Sequence, residues 1–79
     1  MNSSTAQTPP RKSITIDGRQ YGYPSWAMYV TVDVHGTIRA SQGVPFERAD
    51  GTWNYRDSRV EYVGSTAVKT ARKLRVSRH

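Results

Sequence analysis

The stretch Trp26-Ala27-Met28-Tyr29-Val30-Thr31-Val32-Asp33-Val34-His35-Gly36-Thr37-Ile38-Arg39-Ala40 decides the fold. From Trp26 to Asp33 the side chains alternate: Trp26, Met28, Val30 and Val32 fall on one face, and Ala27, Tyr29, Thr31 and Asp33 on the other. A two-residue turn at His35-Gly36 would pair Asp33 with Ile38 and put Ile38 on the wrong face. A three-residue loop, a type I turn opened by Asp33 with Gly36 left-handed, instead pairs Val32 with Ile38, Thr31 with Arg39 and Val30 with Ala40. Every apolar residue then shares one face, and a one-residue slip would undo that for the whole strand.

Working outward, Ser13 to Ile16 alternates and leads into Asp17-Gly18, the dipeptide of a type I′ turn, so Ile14 is expected opposite Tyr21 and Ile16 opposite Arg19. Pro24-Ser25 breaks that ladder, since proline donates no N–H. Downstream, Asp50-Gly51 reads as a second type I′ turn, pairing Arg48 with Trp53 and Phe46 with Tyr55. A turn at Arg56 to Arg59 then pairs Tyr55 with Val60 and Trp53 with Tyr62. Phe46, Trp53, Tyr55, Val60 and Tyr62 would share one face, with Arg48 over Trp53. After Gly64 the spacing changes: Ser65 or Thr66 offers an N-cap, and Ala67, Val68, Ala71 and Leu74 form a helical stripe opposite Lys69, Arg72 and Lys73. Arg75 and Arg78 intrude on the apolar arc, so the helix is expected to fray near Leu74. The expected fold is α+β and mostly β: a disordered arm over 1–11, an antiparallel β-meander of hairpins over 12–64, a basic C-terminal α-helix over 65–75 and a tail over 76–79.

At 79 residues the chain has room for one core, and with no Cys it must fold by apolar burial alone. Hydrophobic residues are 35% of the total, below the usual ~45–50%, so the aromatics (10%) must carry much of that core. Trp26, Phe46 and Trp53 are expected there. No apolar run is long enough to span a membrane, and Met1 to Ala6 lacks the pattern of a signal peptide; a cytoplasmic location is expected.

The net charge of +6 is unevenly spread. Residues 1–12 carry Arg11 and Lys12 without an acid. Residues 13–63 are nearly balanced, and 64–79 carry Lys69, Arg72, Lys73, Arg75 and Arg78 without an acid. Such extremities suggest a polyanion, of which nucleic acid is the commonest, although cations also keep a small aromatic-rich domain soluble.

Catalysis finds little support. His35 sits in a turn and His79 is far from it in sequence, so no pair is poised for metal binding or general-base work. Asp17, Asp33, Asp50 and Asp57 each occupy a turn, where the side chain bonds nearby backbone N–H groups. No metal, cofactor or catalytic residue is expected. The candidate nucleic-acid-binding residues are Arg11, Lys12, Tyr29, Arg39, Lys69, Arg72, Lys73, Arg75 and Arg78, with Tyr29 and Arg39 on an exposed sheet face and the basic helix on phosphate. The alternative is an adaptor or inhibitor that docks on another protein through an exposed aromatic patch at Tyr21, Tyr23 and Trp26, steered by the basic helix. The edge at 13–16 leaves open a sheet-extended homodimer.

The pattern Trp26-Ala27-x-Tyr29, Asp33-x-x-Gly36, Pro45 and Trp53 resembles small proteins encoded by phages and prophages. That resemblance implies binding to one host protein or one nucleic acid, in the bacterial cytoplasm. A sheet followed by Gly64-Ser65-Thr66-Ala67 and Ala71-Arg72 is also similar in layout to AP2-like and integrase arm-binding domains, which lay a sheet into the DNA major groove.

Overall fold

The hairpin at Asp33–Gly36 organises the molecule, whose computed structural model describes residues 11–76. Eight strands follow in order: β1 Arg11–Ile16, β2 Arg19–Pro24, β3 Tyr29–Val32, β4 Thr37–Ser41, β5 Phe46–Glu47, β6 Trp53–Asn54, β7 Val60–Ser65 and β8 Arg72–Arg75. They form a four-stranded antiparallel sheet in the order β7-β4-β3-β8 and two separate hairpins, β1-β2 and β5-β6. The β3-β4 register is the one the apolar pattern demands, Val30 to Ala40 and Val32 to Ile38. Asp33 accepts from Gly36 N–H at 2.9 Å, and Gly36 has a φ of 81°. The Asp33 carboxylate accepts from the N–H groups of His35 and Thr37, closing the turn from within. The Asp17-Gly18 turn is type I′, with both residues at positive φ.

The expected C-terminal helix is absent. Among the described residues every regular element is a strand, and 72–75 pairs antiparallel with β3, Leu74 beside Val30 and Arg72 beside Val32. Lone alternation of Arg72, Lys73, Leu74 and Arg75 suits a half-buried strand, and β3 offers a free edge whose N–H and C=O groups need partners. The connection 66–71 carries the chain from one edge of the sheet to the other, past the β3-β4 turn, with Thr66 N–H bonding the Gly36 carbonyl at 2.8 Å. Three strand spacings are about 14 Å, well within the reach of seven peptide steps. The fourth strand of the sheet in chain order thus returns beside the first, a Greek-key order with the β5-β6 hairpin inserted before β7.

Two further expectations fail. Asp50-Gly51 is not a type I′ turn; it repeats the Asp33–Gly36 geometry, with Gly51 alone left-handed (φ 85°), Gly51 N–H on Arg48 O and Arg48 N–H on Thr52 O. The extra loop residue shifts the register to Phe46–Asn54 and Glu47–Trp53. Phe46 and Trp53 therefore part company: Trp53 is 8% exposed and Phe46 46%. The expected pairing of β6 with 60–62 is also absent, because β7 takes the edge of β4. The ring partners differ accordingly: Arg56 lies over Phe46 and Arg59 over Trp26.

The core lies between the β1-β2 hairpin and one face of the four-stranded sheet. Ile16 and Tyr23 meet Val30, Val32, Ile38 and Ala40, with Ile14, Tyr21, Trp26, Val63, Leu74 and Val76 around them. Polar clasps fix the hairpin: Asp17 holds Arg72 through two hydrogen bonds and Thr66 through a third, Arg11 reaches Glu61 at 3.2 Å, and the Tyr21 hydroxyl donates to Ser65 O. Residues 1–10, most of the expected arm, and 77–79, most of the expected tail, lie outside the described residues; Arg11 itself opens β1.

Candidate nucleic-acid interface

Strand pleating sorts β3, β4, β7 and β8 into two faces. Opposite the core, Tyr29 pairs with Ser41 on one side and Arg75 on the other, and Thr31 pairs with Arg39 and Lys73. A β-bulge between β4 and β7 then puts Tyr62, rather than Val63, beside Arg39. One row across the sheet thus reads Tyr62, Arg39, Thr31, Lys73, and the next Val60, Ser41, Tyr29, Arg75. Bulges commonly re-aim a side chain beside functional surfaces. Here the bulge leaves Tyr62 62% exposed while Val63 packs on the core.

The centre of this face is partly roofed by the inserted hairpin. Trp53 Nε1 donates to Val32 O at 3.0 Å, Gly51 O accepts from Val34 N–H, and the Tyr55 and Thr31 hydroxyls share a hydrogen bond of 2.6 Å. Thr31 is 1% exposed as a result. Other polar groups of the central strands are also engaged within the chain. Ser41 donates to Gly43 O, and Arg39 lies 3.6 Å from the buried Asp33 carboxylate. What faces outward is the half-buried rings of Tyr29 and Tyr55, the exposed ring of Tyr62, half of Arg39, and Lys73 and Arg75 on the edge strand.

The candidate residues therefore divide. Tyr29, Arg39, Lys73 and Arg75 come together on this face; the strand in place of a helix is what brings the last two to the first two. Lys73 and Arg75 make no ion pair among the described residues. Arg72, one residue out of step, points to the core side and is spent on Asp17. Its two hydrogen bonds, followed by that from Thr66, hold the Asp17 carboxyl below the usual carboxylate range. Arg11 is likewise committed, to Glu61 and Gly22 O. Lys12 is exposed on the hairpin packed against the other face, Lys69 sits in the 66–71 connection beside Gly36, and Arg78 lies outside the described residues.

Of the aromatic patch expected for a protein partner, Tyr23 is buried while Tyr21 and Trp26 are half-buried. Tyr23 is 5% exposed and belongs to the core, Tyr21 is docked on Gly64 and Ser65, and Trp26 packs on the core under Arg59. Tyr55 and Tyr62, expected on a shared apolar face with Phe46 and Trp53, lie instead on this open face. For Tyr62 the available signal is Val63-Gly64, where an extra residue can be absorbed before a glycine.

Among the described residues no group of three or more His, Asp or Glu is placed to hold a metal ion, and no helix is long and apolar enough to cross a membrane. Comparison with protein-family models, curated proteins and solved structures gives no significant match to this chain.

Proposed function

We propose that this protein is a small, non-enzymatic binding protein for nucleic acid, and that it engages its ligand through the open face of the four-stranded sheet. One observation carries the reading: the register sets Tyr29 beside Arg75 and Tyr62 beside Arg39, with Lys73 in the same row as that second pair. Rings interleaved with cations are what a polyanion of stacked aromatic bases requires, the cations for phosphate and the rings for bases. Among the described residues the only carboxylate paired with this set is Asp33, which is buried beneath Arg39. The face is thus net positive, and in an aqueous cleft-free surface its attraction for phosphate is strongly screened by salt.

Fluorescence anisotropy with labelled oligonucleotides tests it. With about three phosphates engaged, affinity falls roughly twenty- to forty-fold between 50 and 200 mM salt. The double variant K73Q/R75Q lowers the slope of log K against log salt by about 1.4–1.8. Binding that is absent, or that ignores salt, overturns the reading. So does a stoichiometric protein partner retained from nuclease-treated bacterial lysate with no accompanying oligonucleotide affinity.

A further inference from the structure

We infer that the ligand of this face is a single strand rather than a duplex, an inference that rests on the nucleic-acid reading above. Base sequence in a duplex is read through hydrogen bonds to base edges in a groove, made by donors and acceptors that project from the inserted element. On β3 and β4, the strands at the centre of the face, the hydroxyls are already spent, and Arg39, held beside Asp33, keeps a half-exposed charge for phosphate rather than a free fork for a base edge. The Thr31 hydroxyl is bonded to Tyr55 and that of Ser41 to Gly43 O. The inserted hairpin also stands on the face, with Trp53 anchored to Val32 O and Tyr55 to Thr31, so the sheet cannot lie flat along a groove.

What remains available is π-surface and edge charge. Tyr62 and Tyr29 lie on strands separated by β4 and one row apart. Two strand spacings and two residues of rise put their backbone positions on the order of 12 Å apart. Successive bases in a duplex strand rise only about 3.4 Å and have their faces covered by one another. Rings that far apart suit bases of an extended strand whose faces are open, each stacking on a tyrosine while the backbone crosses the sheet towards Lys73 and Arg75 on β8. Stacking of this kind tolerates any base, so little sequence preference is expected.

The test compares labelled dT12, rU12 and a twelve-base-pair hairpin duplex at one salt concentration, on the wild type, Tyr62→Ala and Tyr62→Phe. Single strands are expected to bind at least tenfold tighter than the duplex. Tyr62→Ala loses about 5- to 150-fold on the single strands, the range of one lost stack, and Tyr62→Phe retains most of the affinity because the ring and not the hydroxyl is used. Tighter binding of dT12 than rU12, or the reverse, supports the inference in either case, the two strands differing in sugar and in the thymine methyl. Equal or tighter, salt-dependent binding of the duplex overturns the single-strand inference while leaving the nucleic-acid reading intact. No binding of any probe overturns both. A Tyr62→Phe loss as large as that of Tyr62→Ala overturns the stacking role.

Discussion

The two faces of the four-stranded sheet are drawn from the same strands, one residue out of step, and they spend their side chains differently. On the covered face Val30, Val32, Ile38, Ala40 and Leu74 meet the β1-β2 hairpin, and the charges that reach it, Arg72 and Glu61, are matched by Asp17 and Arg11 of that hairpin. On the open face Tyr29, Tyr62, Lys73 and Arg75 have no such counterparts among the described residues. β8 shows the contrast in miniature: Arg72 is structural and Lys73, its neighbour, is at liberty. Net charge therefore says less than pleating does about which cations a ligand can meet.

The contrast breaks most easily at its base. Ile38 is fully buried, and Ile38→Ala should cost about 2–5 kcal/mol, most of the stability of a domain this small, read as loss of cooperative thermal unfolding by circular dichroism. An unchanged melt would mean that the hairpin does not cover this face.

Next in size is Gly36. Its positive φ disfavours any side chain by about 1–2 kcal/mol, and a Cβ there would also run into the Thr66 carbonyl oxygen. Gly18 has the same backbone conformation with open space around it. Gly36→Ala is expected to lower the melting temperature well beyond Gly18→Ala, the surplus measuring how firmly the 66–71 connection straps the turn. Equal losses would detach that strap.

Asp17 sharpens the covered side. Its carboxyl is held below the usual range by Arg72 first and Thr66 second. A carboxylate with a lowered native pKa stabilises the fold above about pH 4, and that contribution is lost as pH falls through the lower, folded value. Asp17→Asn should melt below the wild type at pH 7, with the gap closing towards pH 2. A gap independent of pH would assign the loss to something other than the ion pair.

The smallest effect belongs to the open face. Lys73→Ala and Tyr62→Ala should leave stability within about 0.5 kcal/mol by urea denaturation, since neither supports the core. A larger loss would make this face structural.

Much of the fold was legible, and unevenly so. The β3-β4 register followed from the apolar pattern and Gly36, because one buried face admits one register. Asp17-Gly18 was equally plain. Asp50-Gly51 misled because the same dipeptide closes either a two-residue or a three-residue loop, and on the short β5-β6 pair no apolar alternation arbitrates. The segment after Gly64 misled because Ala67, Val68, Ala71 and Leu74 fit a helical stripe, whereas Leu74 and Val76 also fit a strand face. Arg75, awkward on the helix, was the trace of the better reading, as was the unfilled edge of β3. Of the site, Tyr29 and Arg39 could be placed on one face from β3-β4 alone; Tyr62 depended on a bulge, and Lys73 and Arg75 on a long-range pairing that local spacing does not encode.

That pairing has a cost in time. Because β8 completes the sheet against β3, the first strand of that sheet to be made, β3 waits with one side open while the rest of the sheet is synthesised. Contacts so distant in sequence slow folding and leave an unpaired rim on the nascent polypeptide, a place where a sister chain can add itself. Synthesis that halts before Arg72 would release a species prone to aggregate, so the same two lysine and arginine side chains offered to a ligand also arrive in time to guard the outermost rung against stacking on a neighbour.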